Sequence, residues 1–179
     1  GTRARKTRTK SFNAFSSIDY PETAMFRDRR LIQFLQRPAE YTHAVFSTAL
    51  DPNVFVLRLV PGMRADIIPM LEGRYRALVL ESFGVGGLPG GDDGAMFAAV
   101  RDWCGAGHLA VFTTQVPHEG SDLAVYEVGR AAKALPGVLE AHDMTPEATA
   151  VKLMWVLGQT TDRAEAEKLF LTPVQWDIL

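Results

Sequence analysis

ALVLESFGVGGLPGGDDG, residues 77–94, joins an apolar run to a glycine-rich segment. The run ALVLES (77–82) is almost continuously apolar, which predicts a strand buried on both faces. Asp92 or Asp93 can cap a following helix that ends at Gly105. A strand, a glycine-rich turn and a helix start often bind an anion such as phosphate, because free N–H groups point at it. The helix is predicted from apolar residues at helical spacing: Met96, Phe97, Val100, Trp103 and Cys104.

The rest of the chain from residue 51 alternates strand and helix signals. FVLRLV (55–60) and HLAVFT (108–113) predict two more buried strands. Alternation of this kind predicts a parallel sheet with helices on both faces and ligand loops beyond the carboxyl ends of the strands. The loops 83–94 and 113–122 fall at that edge. Further helices are predicted within 65–73, over 123–135, from Thr145-Pro146 onward and over 164–171.

Composition narrows the class of protein. Of 179 residues, 47% are apolar and 22% charged, enough for an ordinary core. The single Cys104 excludes an internal disulfide framework, and no signal-like segment is present, so a cytoplasmic protein is expected. No apolar run approaches the roughly 18 residues that a membrane-spanning helix needs. We therefore expect no membrane partner.

The first ten residues carry five cations and no acid, whereas the remainder has 14 cations and 21 acids, a net charge of −7. A basic arm can bind nucleic acid, but the acidic body should repel phosphate. Cations alternate with small polar residues in RARKTRTKSF, as on one face of a β-ribbon. We expect a solvated strand or arm and no nucleic-acid partner.

The loops lack known catalytic signatures. The dinucleotide fingerprint fails because Pro89 stands where the third glycine belongs, and no phosphate-loop lysine follows. A nucleophile elbow would need glycine at Leu80. Ser82 is still expected to be exposed at a strand end and able to contact a ligand. The four histidines are not at metal-ligand spacing, so we expect no metal and no cofactor.

Five blocks together resemble the cytoplasmic-type (type I) bacterial L-asparaginases, in the order that the family has them. The blocks extend from residue 7 to residue 158. They are TRTKSFNAFSS, LDPNVFVLRLVPGM, VLESFGVGGLP, TTQVPHEGSDLAVYEVG and DMTPEATAVKLMWVLG. The resemblance implies a three-layer α/β domain with a four-stranded parallel sheet, flavodoxin-like in architecture.

The resemblance also implies a division of the chain. Residues 1–18 correspond to the terminal ribbon of an N-terminal catalytic domain that is otherwise missing, 19–50 to an interdomain linker and 51–179 to the C-terminal domain. The family's threonine nucleophile and its Thr-Asp-Lys set have no counterpart here. The resemblance therefore implies that this chain is part of an enzyme that hydrolyses L-asparagine to L-aspartate and ammonia. Alone it should be inactive, because a hydroxyl nucleophile needs a base and an oxyanion hole.

Two groups of site residues follow from the resemblance. Ser82, Gly87 and Glu119 correspond to substrate contacts that one subunit offers to its neighbour, in a homodimer or a dimer of dimers. Glu119 can pair with the α-ammonium group of L-asparagine. Many relatives have asparagine at Gly87. A possible regulatory site corresponds to Glu81, Thr114, Gln115 and Val116; relatives with that site have arginine at 81 and cysteine at 116, so altered regulation is expected.

Two other functions stay open from the sequence. The first is the asparaginase-like subunit of a tRNA-dependent amidotransferase, which shares the fold and releases ammonia from glutamine. The second is a non-catalytic module that binds a small amino acid or mediates dimerisation. Preference between asparagine and glutamine depends on residues that the resemblance places mostly in the other half.

Overall fold

The computed structural model describes residues 2–35, 45–89, 94–174 and 176–178. Strands β1 (Ala4–Lys6) and β2 (Phe15–Ser17) form an antiparallel ribbon, with Arg5 opposite Ser16. Strands β3 (Ala24–Arg27) and β4 (Arg30–Gln33) form a second hairpin, which the sequence did not predict. Among these residues, no helix has the length and apolarity that a membrane crossing requires.

The main sheet has four parallel strands in the described part of the chain: β5 (Val54–Arg58), β6 (Ala77–Ser82), β7 (Leu109–Thr114) and β8 (Val138–Glu140). They lie side by side in the order β5-β6-β7-β8. The expected parallel sheet is confirmed. Burial on both faces holds for β6 and β7, but Val56 on β5 is 41% exposed because β5 is an edge strand. The short β8 was not recognised from its residues.

Helices cover both faces of the sheet. They are α1 (Ala95–Gly105), α2 (Glu127–Lys133), α3 (Pro146–Gln159) and α4 (Arg163–Leu171). The helices α3 and α4 pack on Val79 and Val111, and α1 and α2 pack on the opposite face with Phe112. Two 3-10 turns, Ala65–Ile67 and Pro69–Leu71, stand in place of the expected short helix. Pro69 interrupts that segment because it has no N–H to donate.

Three of the predicted helix starts have different outcomes. The Thr145 hydroxyl accepts a hydrogen bond from the Ala148 N–H at 3.2 Å, which confirms the predicted cap of α3. The cap of α1 is Gly94 and contributes no side-chain bond, while Asp92 and Asp93 lie outside the described residues. The helix α2 starts at 127 rather than 123. The Leu123 N–H instead donates to the Glu140 carboxylate at 2.8 Å.

Cys104 lies on the buried face of α1 and is 2% exposed. Burial raises the pKa of its thiol to about 11. Because the thiolate is the reactive form, we expect native Cys104 to react with a disulfide reagent at pH 8 on the order of 100-fold more slowly than free cysteine. The thiol should react at the ordinary rate in guanidinium chloride. Rapid stoichiometric labelling of the native chain, followed by absorbance, would contradict this placement.

Candidate functional site

The candidate site lies at the carboxyl edge of the sheet. Ser82 and Thr114 are partners in the β6–β7 register, so the loops that follow them start side by side. The Asp122 N–H donates to the Val85 carbonyl at 2.8 Å and joins the two loops. The turn 141–145 after β8 completes the edge. The two loops expected to carry a ligand site therefore do meet.

The first loop begins with a tight turn. The Phe83 N–H donates to the Gly87 carbonyl at 2.9 Å, and the Gly87 N–H donates to the Phe83 carbonyl at 2.7 Å. A Cβ at position 87 would lie 3.2 Å from the Phe83 carbonyl oxygen. Any side chain there would have to displace Phe83 slightly. Gly87 can offer a ligand only backbone groups, and residues 90–93 lie outside the described part.

Ser82 corrects one expectation. It stands at the strand end as predicted, but it is fully buried. Its hydroxyl donates to the Thr113 carbonyl at 2.7 Å. The expected exposure of Ser82 is wrong because the neighbouring strand β7 covers it and provides its hydrogen-bond acceptor.

The second loop presents Glu119. This residue is exposed and has a left-handed backbone with φ of 76°, a conformation that a side chain with a Cβ seldom adopts. Just before it, His118 Nδ1 lies 3.5 Å from the Asp19 carboxylate. Just after it, the Ser121 N–H donates to the His142 carbonyl at 2.8 Å. The strained residue is thus the exposed point of a loop that is held on one side by the Ser121–His142 hydrogen bond and contacted on the other by Asp19.

A buried carboxylate that sequence reasoning missed holds the far end of this loop. Glu140 on β8 accepts the Leu123 N–H through one oxygen and pairs with Lys133 Nζ at 2.6 Å through the other. The hydrogen bond and negative charge of Glu140 raise the pKa of the Lys133 ammonium above its ordinary value. From the sequence, Glu140 could have been noticed only as an acidic residue inside a predicted strand. Because β8 was not predicted from the sequence, Glu140 was missed.

The structure brings the four expected regulatory residues together. The Gln115 side-chain amide donates to the Leu59 carbonyl at 2.6 Å and to the Glu81 carbonyl at 2.8 Å. Thr114 donates to the Gly84 carbonyl and accepts from the Val116 N–H. These polar groups brace the strand ends. The Glu81 carboxylate lies 3.2 Å from Arg58 Nη1 on β5, so a neighbouring cation balances the acid at position 81.

The described residues form no metal-ligand cluster, and the Thr113 hydroxyl at this edge has no base beside it among them. Within residues 2–35, 45–89, 94–174 and 176–178, no three histidine, cysteine or acidic side chains cluster as metal ligands. The His108 ring stacks on Trp103 at 4.3 Å, which is a structural contact, and His43 lies outside the described part. The Thr113 hydroxyl is buried without a hydrogen-bond partner in that part, so no base contacts it there.

Comparisons with known proteins agree with this fold. The family model described as Glutaminase/Asparaginase C-terminal domain matches residues 53–170. An L-asparaginase of Thermococcus kodakarensis is 39% identical over 94% of this chain and 51% of its own length. A solved structure of the thermostable L-asparaginase from that organism superposes with a TM-score of 0.91 at 35% identity, covering 99% of this chain and 53% of the other.

A second kind of relative also matches. A glutamyl-tRNA(Gln) amidotransferase subunit from Metallosphaera sedula is 33% identical over 96% of this chain and 39% of its own length. The chain therefore spans about half, or less, of the length of the curated relatives it matches.

Proposed function

The chain belongs to the glutaminase/asparaginase C-terminal domain family, and from that premise we propose that it is the C-terminal part of an L-asparaginase. The whole protein would hydrolyse L-asparagine to L-aspartate and ammonia once an N-terminal catalytic domain is joined. Residues 1–18 would be the last ribbon of that domain, 19–50 the linker and 51–179 the C-terminal domain. Coverage of about half of the T. kodakarensis enzyme supports this division.

The observation that carries the proposal is the position of Glu119. An exposed carboxylate on a loop that buried hydrogen bonds hold at the sheet's carboxyl edge suits an amino-acid ligand. Glu119 would pair with the α-ammonium group of L-asparagine bound to a neighbouring subunit. The backbone of Gly87 would line the same site. Ser82 would support the wall, since its hydroxyl already donates to Thr113.

Exposed apolar surface supports a partner domain or subunit. On the β3–β4 hairpin, Phe26 is 77% exposed, Leu31 58% and Phe34 52%. A two-stranded hairpin is marginal in water, and apolar patches on it usually contact another surface. We propose that the N-terminal catalytic domain, within a cytoplasmic homodimer or dimer of dimers, covers it. The single cysteine, buried and without a disulfide, suits that compartment.

The test is ammonia release from L-asparagine by this chain alone and after mixing with a separately produced N-terminal half of the longer protein. We expect no activity from the chain alone, because the hydroxyls of Ser82 and Thr114 at the candidate edge donate to backbone carbonyls and no base contacts the Thr113 hydroxyl among the described residues. Activity should appear in the mixture. Release by the chain alone would refute the division of labour, and an inactive mixture of folded halves would refute the proposed reaction.

The amidotransferase subunit is a second candidate because relatives of that kind match at 33% identity. The net charge of −7 after the first ten residues weakens it, since an RNA-facing surface should be basic. A tRNA-binding titration at two salt concentrations separates the two candidates. Salt-sensitive binding would favour the amidotransferase subunit. Tight asparagine binding by the chain alone, measured by calorimetry, would favour a non-catalytic module instead.

A further inference from the structure

Arg3 differs from the other cations of the N-terminal arm. The sequence predicted a solvated arm, but Arg3 is 5% exposed. Its Nη1 pairs with the Asp143 carboxylate and lies 3.4 Å from the Asp143 carbonyl, while Nη2 lies 3.4 Å from the Trp176 carbonyl. The guanidinium also lies 5.6 Å from the centre of the Tyr20 ring. Burial of a guanidinium is costly unless other groups replace its water. The contacts with Asp143 and Trp176 do this for Arg3.

The segment that Arg3 grips supports the Glu119 loop. Asp143 follows His142, whose φ of 50° is left-handed. The His142 carbonyl accepts the Ser121 N–H at 2.8 Å and lies 3.4 Å from the Ser121 hydroxyl. Gly120 packs directly on that carbonyl, where a Cβ would not fit. A continuous set of contacts therefore runs from the arm to the two residues after Glu119.

The ribbon is anchored to the same turn by a second bond. The Thr145 hydroxyl donates to the Thr2 carbonyl at 3.2 Å. Thr2, next to Arg3 in the chain, thus also contacts the turn 141–145. Arg5, two positions further along the chain, makes a different contact. Its Nε lies 3.2 Å from Glu147, whose side chain is 63% exposed, as in an ordinary surface ion pair.

We propose that Arg3 is a positioning residue for the loop that presents Glu119. Through Asp143 it fixes the turn 141–145, and through the His142 carbonyl this turn fixes Ser121 and the strained backbone of Glu119. Movement of the arm would then move the candidate substrate contact. The effect on substrate binding rests on the function proposed above, whereas the mechanical coupling does not.

The coupling is tested on this chain by amide hydrogen exchange. In Arg3→Gln, the Ser121 amide should exchange at least about tenfold faster, while amides of β6 and β7 keep their rates. Arg3→Lys retains the charge but lacks the two guanidinium nitrogens that reach Asp143 and Trp176. It should give a smaller rise in the Ser121 exchange rate. Arg5→Gln, the matched control, should stay within about twofold. An unchanged Ser121 rate, or a rise shared by β6 and β7, would overturn the proposal.

If Arg3→Gln does not fold, Arg3→Lys and Asp143→Asn give the same test with smaller changes. Both should accelerate Ser121 exchange more than Arg5→Gln does. Equal rates in all three variants would overturn the proposal.

The functional consequence is tested in the mixture of the two halves. Arg3→Gln and Glu119→Gln should each raise KM for L-asparagine, by about tenfold, and the double variant should be little worse than Glu119→Gln alone. Additive effects on KM would mean that Arg3 does not act through Glu119. Accelerated Ser121 exchange together with an inactive wild-type mixture would refute the asparaginase proposal and leave the coupling intact.

Discussion

Replacing Gly120 by alanine is expected to destabilise the chain by about 3 kcal/mol and to release the Glu119 loop. Gly120 has φ of 68°, where a Cβ costs about 1–2 kcal/mol. The new Cβ would overlap the His142 carbonyl oxygen and lie 2.8 Å from its carbon. That carbonyl would have to move and lose its bond from the Ser121 N–H, worth about 1 kcal/mol. Denaturant unfolding measures the loss.

The matched control for this substitution is Gly62→Ala. Gly62 has a similar φ of 77°, but no atom lies within 4 Å of a Cβ built there. The Gly62→Ala substitution should therefore lower the free energy of unfolding only by the strain of a Cβ at positive φ, about 1–2 kcal/mol. Equal losses in the two variants would show that the contact with His142 is not tight. In that case the turn 141–145 would not set the position of the Glu119 loop.

Replacing Lys152 by methionine should cost about 3–5 kcal/mol, the largest loss predicted for one side chain. Lys152 Nζ lies 2.8 Å from Asp177 Oδ2, and the two side chains are 6% and 7% exposed. The same ammonium group donates to the Thr172 carbonyl at 3.0 Å. Methionine fills a similar volume but leaves the Asp177 carboxylate buried without its cation. Thermal and denaturant unfolding measure the change.

Two variants show whether the lost charge pair causes that effect. Lys168→Met removes an exposed ammonium from α4 and should change stability by less than about 0.5 kcal/mol. The double variant Lys152→Met with Asp177→Leu removes both buried charges and should recover most of the loss. A double variant as unstable as Lys152→Met would show that packing, and not the unpaired carboxylate, determines the cost.

The elements found from the sequence are those with strong local patterns. The run 77–82 and the helix cap Thr145 were predicted within a residue of their observed positions. The β3–β4 hairpin was missed because its turn residues Asp28 and Arg29 both have positive φ, yet neither is the glycine that usually marks such a turn. The strand β8 was missed because three residues are too few to show a period.

The candidate site was predicted less completely than the fold. The meeting of the two loops follows from strand order, because carboxyl ends of parallel strands share one edge. The burial of Ser82 depends on the neighbouring strand β7, and the pairing of Glu81 with Arg58 depends on β5. The apolar pattern of residues 77–82 indicates neither contact. Sequence reasoning placed the right loops at the edge but could not say which side chains face solvent.

The sequence by itself determined the alternation of strands and helices, the parallel sheet and the glycine-rich edge, since these depend on periodicity and on residues close in the chain. Only the tertiary structure decided which polar groups are buried and what they hold. Arg3 and Asp143 are 140 residues apart, and neither lies in a pattern that announces the other. Their pairing exists because the folded chain brings the arm against the turn 141–145, where a buried charge must find a partner.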